Sequence, residues 1–380
     1  MKILIAPDKF KGSLSANKVA SAIKRGIERV VPEVEVFVCP MADGGEGTVD
    51  ALISAMRGKK IFLKATGPLG APANSYFGIL GKNRRGEKIA VIEMAAISGL
   101  HFLSEEEKNP MLTTTYGTGE LIKAALDKGC REIIVGIGGS ATTDGGMGMA
   151  QALGAKFYHI KGHELGLGCG QLLKDIAKID ISLLDGRINE TKFLAASDVD
   201  NPLCGPNGAA CIYGPQKGAT PAMVRELDEG LRHYTEIVKR DLSVDIKDVS
   251  GAGAAGGLGA GLMVFLGAKF RLGIELVMKA VDLRKRMKGI DLVITGEGKI
   301  DAQTANGKTP VGVSELAKRM KIPTVAVAGQ VGEGAEILKK HGIEKIYSLM
   351  DIAGSVEEAM EKAEELLVEL GKRIAEDYLE

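Results

Sequence analysis

Five stretches of this chain set small residues beside acids, lysines and hydroxyls at spacings suited to handling an anion. The first is Pro7-Asp8-Lys9-Phe10-Lys11-Gly12-Ser13. Its two lysines can neutralise a phosphate or a carboxylate, and Asp8 can hold a metal ion or accept a proton. The same residues would also serve as a solvated turn feeding a capped helix. The second, Ala42-Asp43-Gly44-Gly45-Glu46-Gly47-Thr48, frees backbone N–H groups to face an anion at a helix N-terminus. Asp43 and Glu46 would repel phosphate unless Mg²⁺ bridges them or one acts as a base, and Asp-Gly-Gly alone could be a tight turn. The third runs from Gly136 to Gly148 and gathers Gly138, Gly139, Ser140, Thr142 and Thr143 around one acid, Asp144. A purely structural loop has little reason to be so long and so rich in small residues.

The fourth, Gly251-Ala252-Gly253-Ala254-Ala255-Gly256, spells GxGxxG but fails the context of a dinucleotide site. Val244–Ser250 before it is too polar for a buried strand, and the acid expected about 20 residues on could only be Glu275, in a helical run. Gly253 and Gly256 remain candidates for close packing or for facing phosphate. The fifth, Thr295-Gly296-Glu297-Gly298-Lys299-Ile300-Asp301, continues to Asn306-Gly307-Lys308-Thr309. The first glycine of a P-loop would fall at Ala302, so this is not a Walker A. An acidic turn, Asp198-Val199-Asp200-Asn201-Pro202, follows a short apolar run and is open to either a structural or a functional role. Other chemistries are thin. No histidine lies in a glycine loop, Ser140 lacks a GxSxG elbow, and Cys204 and Cys211 suit small buried residues.

The elements that must hold these loops follow from periodicity. Lys2–Ala6 and Val34–Pro40 are apolar runs, each followed by a loop and a helical stretch, to about Val30 and over Val49–Met56. Ser15 suits an N-cap. Successive strand–loop–helix units of this kind build a parallel sheet. Ala73–Leu80 and Lys88–Ala95 alternate around Gly81–Gly86 and predict an antiparallel hairpin. A helix near Gly117–Lys128 precedes a strong strand, Ile133–Gly138, and Thr220–Lys239 is an amphipathic helix with Pro221 in its first turn. Parallel character returns at Asp291–Thr295, Thr324–Ala328 and Lys345–Leu349, before a terminal helix over Ser355–Asp377. The strands of the two chain ends together make one doubly wound sheet. The expected division is residues 1–66 and 285–380 in one α/β domain and 67–284 in an inserted mixed α/β domain, with the active site in the cleft between them.

Composition narrows the function classes. At 380 residues the chain exceeds what one core usually organises. Lys+Arg 49 balances Asp+Glu 49, which leaves no electrostatic footprint for nucleic acid or an anionic membrane. The 51 glycines fall in bursts between apolar runs rather than in a collagen-like period. Five cysteines without CxxC spacing argue against a disulfide framework or a zinc site and predict free thiols. The N-terminus turns polar too early for a signal segment, and no apolar run reaches the ~20 residues that span a bilayer, so the cytoplasm is expected.

With these stretches assembled, the chain resembles the two-domain bacterial glycerate kinases of type 1 over nearly its whole length. The resemblance rests on APDKFKGSLSA at 6–16, PMADGGEGT at 40–48, GTGEL at 117–121 and GIGGSATTDGG at 136–146. It continues with SDVDNPLCGPNGA at 197–209, GAGAAGGLG at 251–259 and TGEGKID at 295–301. It implies a flavodoxin-like domain beside an unusual α/β domain, and ATP- and Mg²⁺-dependent phosphorylation of glycerate, typically to 2-phosphoglycerate. The resemblance assigns no individual roles. The chemistry of phosphoryl transfer suggests Asp43, then Asp198, as base or metal ligand, with Lys9, Lys11 and Lys299 as cations. Asp144 and Asp200 are further metal candidates. Gly44, Gly45, Gly138, Gly139, Ser140, Thr142, Thr143, Gly253, Gly256 and Gly296 are candidates for cradling ATP. Glycerate and ATP are the expected partners, and homodimerisation is left open.

Overall fold

The computed structural model describes residues 1–83, 85–305 and 307–379. Arg84 of the Gly81–Gly86 turn, Asn306 of the fifth stretch and the terminal Glu380 lie outside them. The described chain forms two compact units. One comprises Met1–Asp43, Asp50–Gly58 and Leu272–Glu380, the other Gly44–Val49 and Lys59–Arg271.

In chain order the first strands are β1 (Lys2–Pro7), β2 (Glu35–Val38), β3 (Lys59–Thr66), β4 (Pro72–Lys82) and β5 (Lys88–Glu93). Next come β6 (Cys130–Gly136), β7 (Lys156–His159), β8 (Ile176–Asp180), β9 (Lys192–Ala196) and β10 (Lys269–Arg271). The last are β11 (Leu292–Ile300), β12 (Thr324–Val331) and β13 (Ile343–Ser348).

The first unit is built on a five-stranded sheet ordered β13-β12-β11-β1-β2, with every pair parallel. Counted within the sheet, that order is 2-1-3-4-5, the flavodoxin-like winding. The apolar runs at β1, β12 and the start of β11 are its buried inner strands, since a parallel sheet is covered on both faces, whereas the edge strand β2 stays half-exposed. Ser15 caps the helix Ala16–Val30, its hydroxyl accepting the Lys18 N–H at 3.5 Å. That helix packs on the C-terminal helix Ala363–Leu379 through glycines. A Cβ on Gly26 would stand 2.1 Å from the Val368 carbonyl oxygen, and one on Gly371 2.4 Å from that of Ile23. The terminal stretch expected as one helix is two, Val356–Glu361 and Ala363–Leu379, because Lys362 leaves helical geometry at φ −100°, ψ 17°.

One strand differs from expectation in a way that matters for the site. β11 does not end at Thr295 but runs to Ile300, pairing Lys299 with Gln330 and Ile300 with Val331. The fifth stretch is therefore strand rather than loop as far as Ile300. Glycine makes this close pairing feasible, for a Cβ on Gly296 would lie 2.2 Å from the Val327 carbonyl oxygen.

The second unit carries a six-stranded mixed sheet ordered β10-β9-β6-β5-β4-β3, and β7 and β8 form a separate antiparallel pair. The hairpin expected around Gly81–Gly86 is β4 and β5. β3 pairs antiparallel with β4 over its whole length, although Lys59–Thr66 was not expected as a strand. β5, β6, β9 and β10 are mutually parallel, so their following loops leave one end of the sheet. Thr220 caps the helix Pro221–Leu242, accepting the Met223 N–H at 3.3 Å.

Candidate active site

In the first unit β1 delivers Asp8 at its carboxyl end, where its backbone N–H donates to the Gly296 carbonyl at 2.8 Å. The Asp8 carboxylate accepts the Lys9 N–H at 2.7 Å on Oδ1 and the Thr309 hydroxyl at 2.6 Å on Oδ2. Thr309 opens the helix Thr309–Arg319, so strand end and helix start are tied through one carboxyl group. Beside it the extended β11 presents Glu297, whose Oε1 accepts the Thr304 hydroxyl and whose Oε2 lies 3.7 Å from Lys308 Nζ. Asp8, Glu297 and Lys308 line a cavity of about 430 Å³ together with Asp43, Lys9, Lys11 and Lys299.

The electrostatics of this cavity are unusual for an open pocket. Burial pushes the Asp8 carboxyl up to about 7, and the Asp43 and Glu297 charges push the same way against its two hydrogen bonds. Burial also raises Glu297, with Asp43 and Asp301 adding to the effect and Thr304 and Lys308 opposing it. Carboxylates brought this close oppose one another's ionisation, and a bound cation would favour their charged forms. A cation-binding or proton-accepting role is one reason to keep such a cluster.

The second unit gathers its own glycines. The Glu93 carboxylate at the end of β5 accepts the Val49 N–H at 2.7 Å and anchors Gly44–Val49. A Cβ on Gly136 would meet the Gly44 carbonyl oxygen at 2.4 Å, and one on Gly138 the Gly45 Cα at 3.3 Å. The second and third glycine stretches are thus packed backbone to backbone, with Gly138 and Gly139 exposed at the tip and Ser140 buried beside them. Gly136 pairs with Ala196, so the turn carrying Asp198 and Asp200 leaves the same end of the sheet, and both acids are exposed.

Deeper in the third stretch the residues are inside the protein. Asp144 is fully buried, and its carboxylate accepts from Thr115 N, Thr115 Oγ1, Gly146 N and Gly148 N at 2.8, 2.7, 3.1 and 3.2 Å. Burial still pushes its carboxyl above the ordinary range. Lys217 is equally enclosed and donates to the Thr142 carbonyl at 2.5 Å. Burial lowers its ammonium to about 7 despite the Asp144 charge. The fourth glycine run closes this layer, since a Cβ on Gly256 would lie 1.9 Å from the Thr142 carbonyl oxygen and one on Gly253 2.2 Å from that of Pro202. Asp144 ties the loop together from within, and Gly253 and Gly256 are spaces into which the chain itself packs.

Of the sequence-derived candidates, Asp43, Lys9, Lys11 and Lys299 line the first unit's cavity, and Gly296 pairs in β11 behind it. Lys299 also pairs with Asp301 at 3.1 Å. Gly44, Gly45, Gly138, Gly139, Ser140, Asp198 and Asp200 stand at one end of the second unit's sheet, with Thr142 and Thr143 buried beneath them. The residues the structure adds at Asp8 are Glu297, Lys308 and Thr309. The signal for Lys308 and Thr309 is the Gly-Lys-Thr that ends the fifth stretch, which fails the Walker spacing; Glu297 lies in its Gly-Glu-Gly-Lys. Among the described residues, no three His, Cys, Asp or Glu side chains form a metal cage by themselves, and no helix is long and apolar enough to cross a membrane. All five cysteines are free thiols, four of them buried.

Comparison with known proteins extends this geometry. A family model described as the glycerate kinase family matches residues 3–379. A glycerate kinase of Halalkalibacterium halodurans is 49% identical over 373 residues, covering 98% of this chain and 97% of the relative. A glycerate 2-kinase of Escherichia coli is 48% identical, covering 99% and 97%. A solved structure designated glycerate kinase 2, from Salmonella typhimurium LT2, superposes with a TM-score of 0.89 at 45% identity, covering 99% of this chain and 98% of that one.

Proposed function

The chain belongs to the glycerate kinase family, and from that membership we propose that it transfers the γ-phosphoryl group of ATP to the C2 hydroxyl of D-glycerate, giving 2-phosphoglycerate, with Mg²⁺. The observation that carries the proposal is the cavity in which Asp8, Asp43 and Glu297 face Lys9, Lys11 and Lys308. Transfer of a phosphoryl group needs positioning and charge neutralisation more than covalent chemistry, and acids interleaved with lysines supply both. The name of the Escherichia coli relative, a glycerate 2-kinase, supports the choice of hydroxyl.

The donor set suits Mg²⁺, a hard cation that takes one or two carboxylates and completes its shell with phosphate oxygens and water. Asp8 and Glu297 would hold it, because burial and the neighbouring carboxylates disfavour their ionised forms and a bound cation would offset both. When bound, it offsets charge on the phosphate oxygens. Lys9, Lys11 and Lys308 would flank the triphosphate and the glycerate carboxylate. Asp43 would accept the hydroxyl proton as the oxygen attacks, with Asp198 the second choice. Base catalysis of this kind contributes typically 10²–10⁴-fold.

Phosphorus NMR of the product tests the regiochemistry. A C2 ester has one proton on the carbon bearing the phosphate and gives a doublet. A C3 ester has a methylene there and gives a triplet, which would overturn the assignment to 2-phosphoglycerate.

A further inference from the structure

The cavity of the first unit has two unlike walls. One is the charged wall already described. The other is apolar, formed by Leu349 and Met350 after β13 and by Val356, Ala359 and Met360 of the helix Val356–Glu361. Leu349 and Ala359 are buried, whereas Val356 and Met360 leave 44% and 47% of their surface open. Large apolar side chains left open at a cavity mark a surface that a ligand covers.

We infer that this wall seats the purine ring of the nucleotide, with the triphosphate running from it toward the lysines. The inference rests on the kinase reading of the same cavity. It follows from a match of polarity between ligand and pocket. Glycerate is small and polar at every carbon and leaves an apolar wall unused. ATP is apolar and flat at one end and highly charged at the other, as the cavity is, and about 430 Å³ is far more room than a three-carbon acid fills. Methionines suit the task, since a polarisable thioether adapts to the face of an aromatic ring.

The two walls are held in fixed register. The Ser13 hydroxyl of the first lysine-bearing stretch donates to the Met360 carbonyl at 2.9 Å. Gly12 sits at φ +78°, and a Cβ there would come within 3.3 Å of the Met360 methyl carbon. The loop offered to phosphate and the wall offered to the base are thus one continuous surface. Gln330 lies on the same lining, and its amide carries both a donor and an acceptor for the edge of the base.

The test separates the two ends of the ligand. Affinities for ATP and for inorganic tripolyphosphate, which has the charged end without the base, are measured by calorimetry with Mg²⁺. The proteins compared are the unaltered chain and a Met360→Gln, Val356→Thr double variant. Both changes are neutral and near-isosteric at partly open positions, so charge and fold are kept, and a matching far-ultraviolet spectrum and melting temperature verify this. The expected result is ATP binding weakened roughly tenfold, with tripolyphosphate unchanged within about twofold. Equal weakening of both ligands, or no change in either, would place the base elsewhere and overturn the inference. Binding is read without turnover, so a chain that binds ATP in this way yet fails to phosphorylate glycerate would refute the proposed reaction and leave the seat standing.

Discussion

Replacing Asp8 by asparagine removes the most strained ionisation in the cavity. An ordinary aspartate titrates near 3.8, and Asp8 in the fold at about 7. Between those values the folded chain keeps a proton that the unfolded chain has released. Its contribution to stability is therefore complete below about 4 and is lost as pH rises through 7. At about 1.4 kcal/mol per pH unit the loss reaches at most about 4 kcal/mol. Asparagine cannot ionise, so the variant loses this slope. It retains one acceptor where Asp8 accepts from both Lys9 N and the Thr309 hydroxyl, a cost of about 1 kcal/mol at every pH. The curves should cross. Without nucleotide or Mg²⁺, Asp8→Asn should melt slightly below the unaltered protein at pH 4 and several degrees above it at pH 8. Melting followed by circular dichroism from pH 4 to 8.5 reads the difference directly. Curves that run parallel across this range would refute the assignment of a raised, cavity-facing carboxyl to Asp8. Binding of Mg²⁺ and ATP at pH 6 should also release a proton as Asp8 ionises, seen as a buffer-dependent heat in calorimetry.

Three further outcomes follow from the same structure. Asp43→Asn should melt within a few degrees of the unaltered protein yet turn over at least roughly 10²-fold more slowly; near-normal turnover would remove Asp43 from the chemistry. Lys217 is depressed to about 7 from 10.5, so the folded chain sheds a proton that the unfolded chain keeps, and stability should rise between those pH values. Lys217→Met should abolish that rise, checked by urea unfolding at pH 7 and 9.5. Gly256→Ala should cost roughly 2–4 kcal/mol, since the new methyl lands on the Thr142 carbonyl at a φ of +69°, and urea unfolding near that of the unaltered chain would contradict the packing described.

How much of this was legible in the sequence depended on what each residue's signal was about. The inner strands of the parallel sheet were plain where β1, β12 and the first residues of β11 are nearly continuous apolar runs, which is how a strand buried on both faces must be written. β3 was hidden because Lys59–Thr66 mixes lysines with apolar residues, and its strand character comes from pairing with β4. The glycine bursts marked loops in the second and third stretches, though not in the fifth, and could not say what each glycine faces. Gly138 and Gly139 stand at an exposed tip, while Gly253 and Gly256 make room for carbonyl groups of residues distant in the chain. Asp144 looked like the acid of a ligand loop because hydroxyls surround it in sequence. Its tie to Thr115 at 2.7 Å crosses 29 residues, and no local pattern reveals such a bond. Lys308 has a signal in the Gly-Lys-Thr that fails the P-loop spacing, while Glu297 stands in the fifth stretch with nothing in sequence to set it beside Asp8. The continuation of β11 past Thr295 is what brings Glu297 to Asp8, and strand length depends on a neighbouring strand being there to pair with.

The most direct test of the central claim is ADP formation by the purified protein in a coupled assay, with ATP, D-glycerate and Mg²⁺ each omitted in turn. ADP should form only when all three are present. An equal rate in the absence of glycerate would contradict the assignment of this cavity to phosphoryl transfer onto a hydroxy acid.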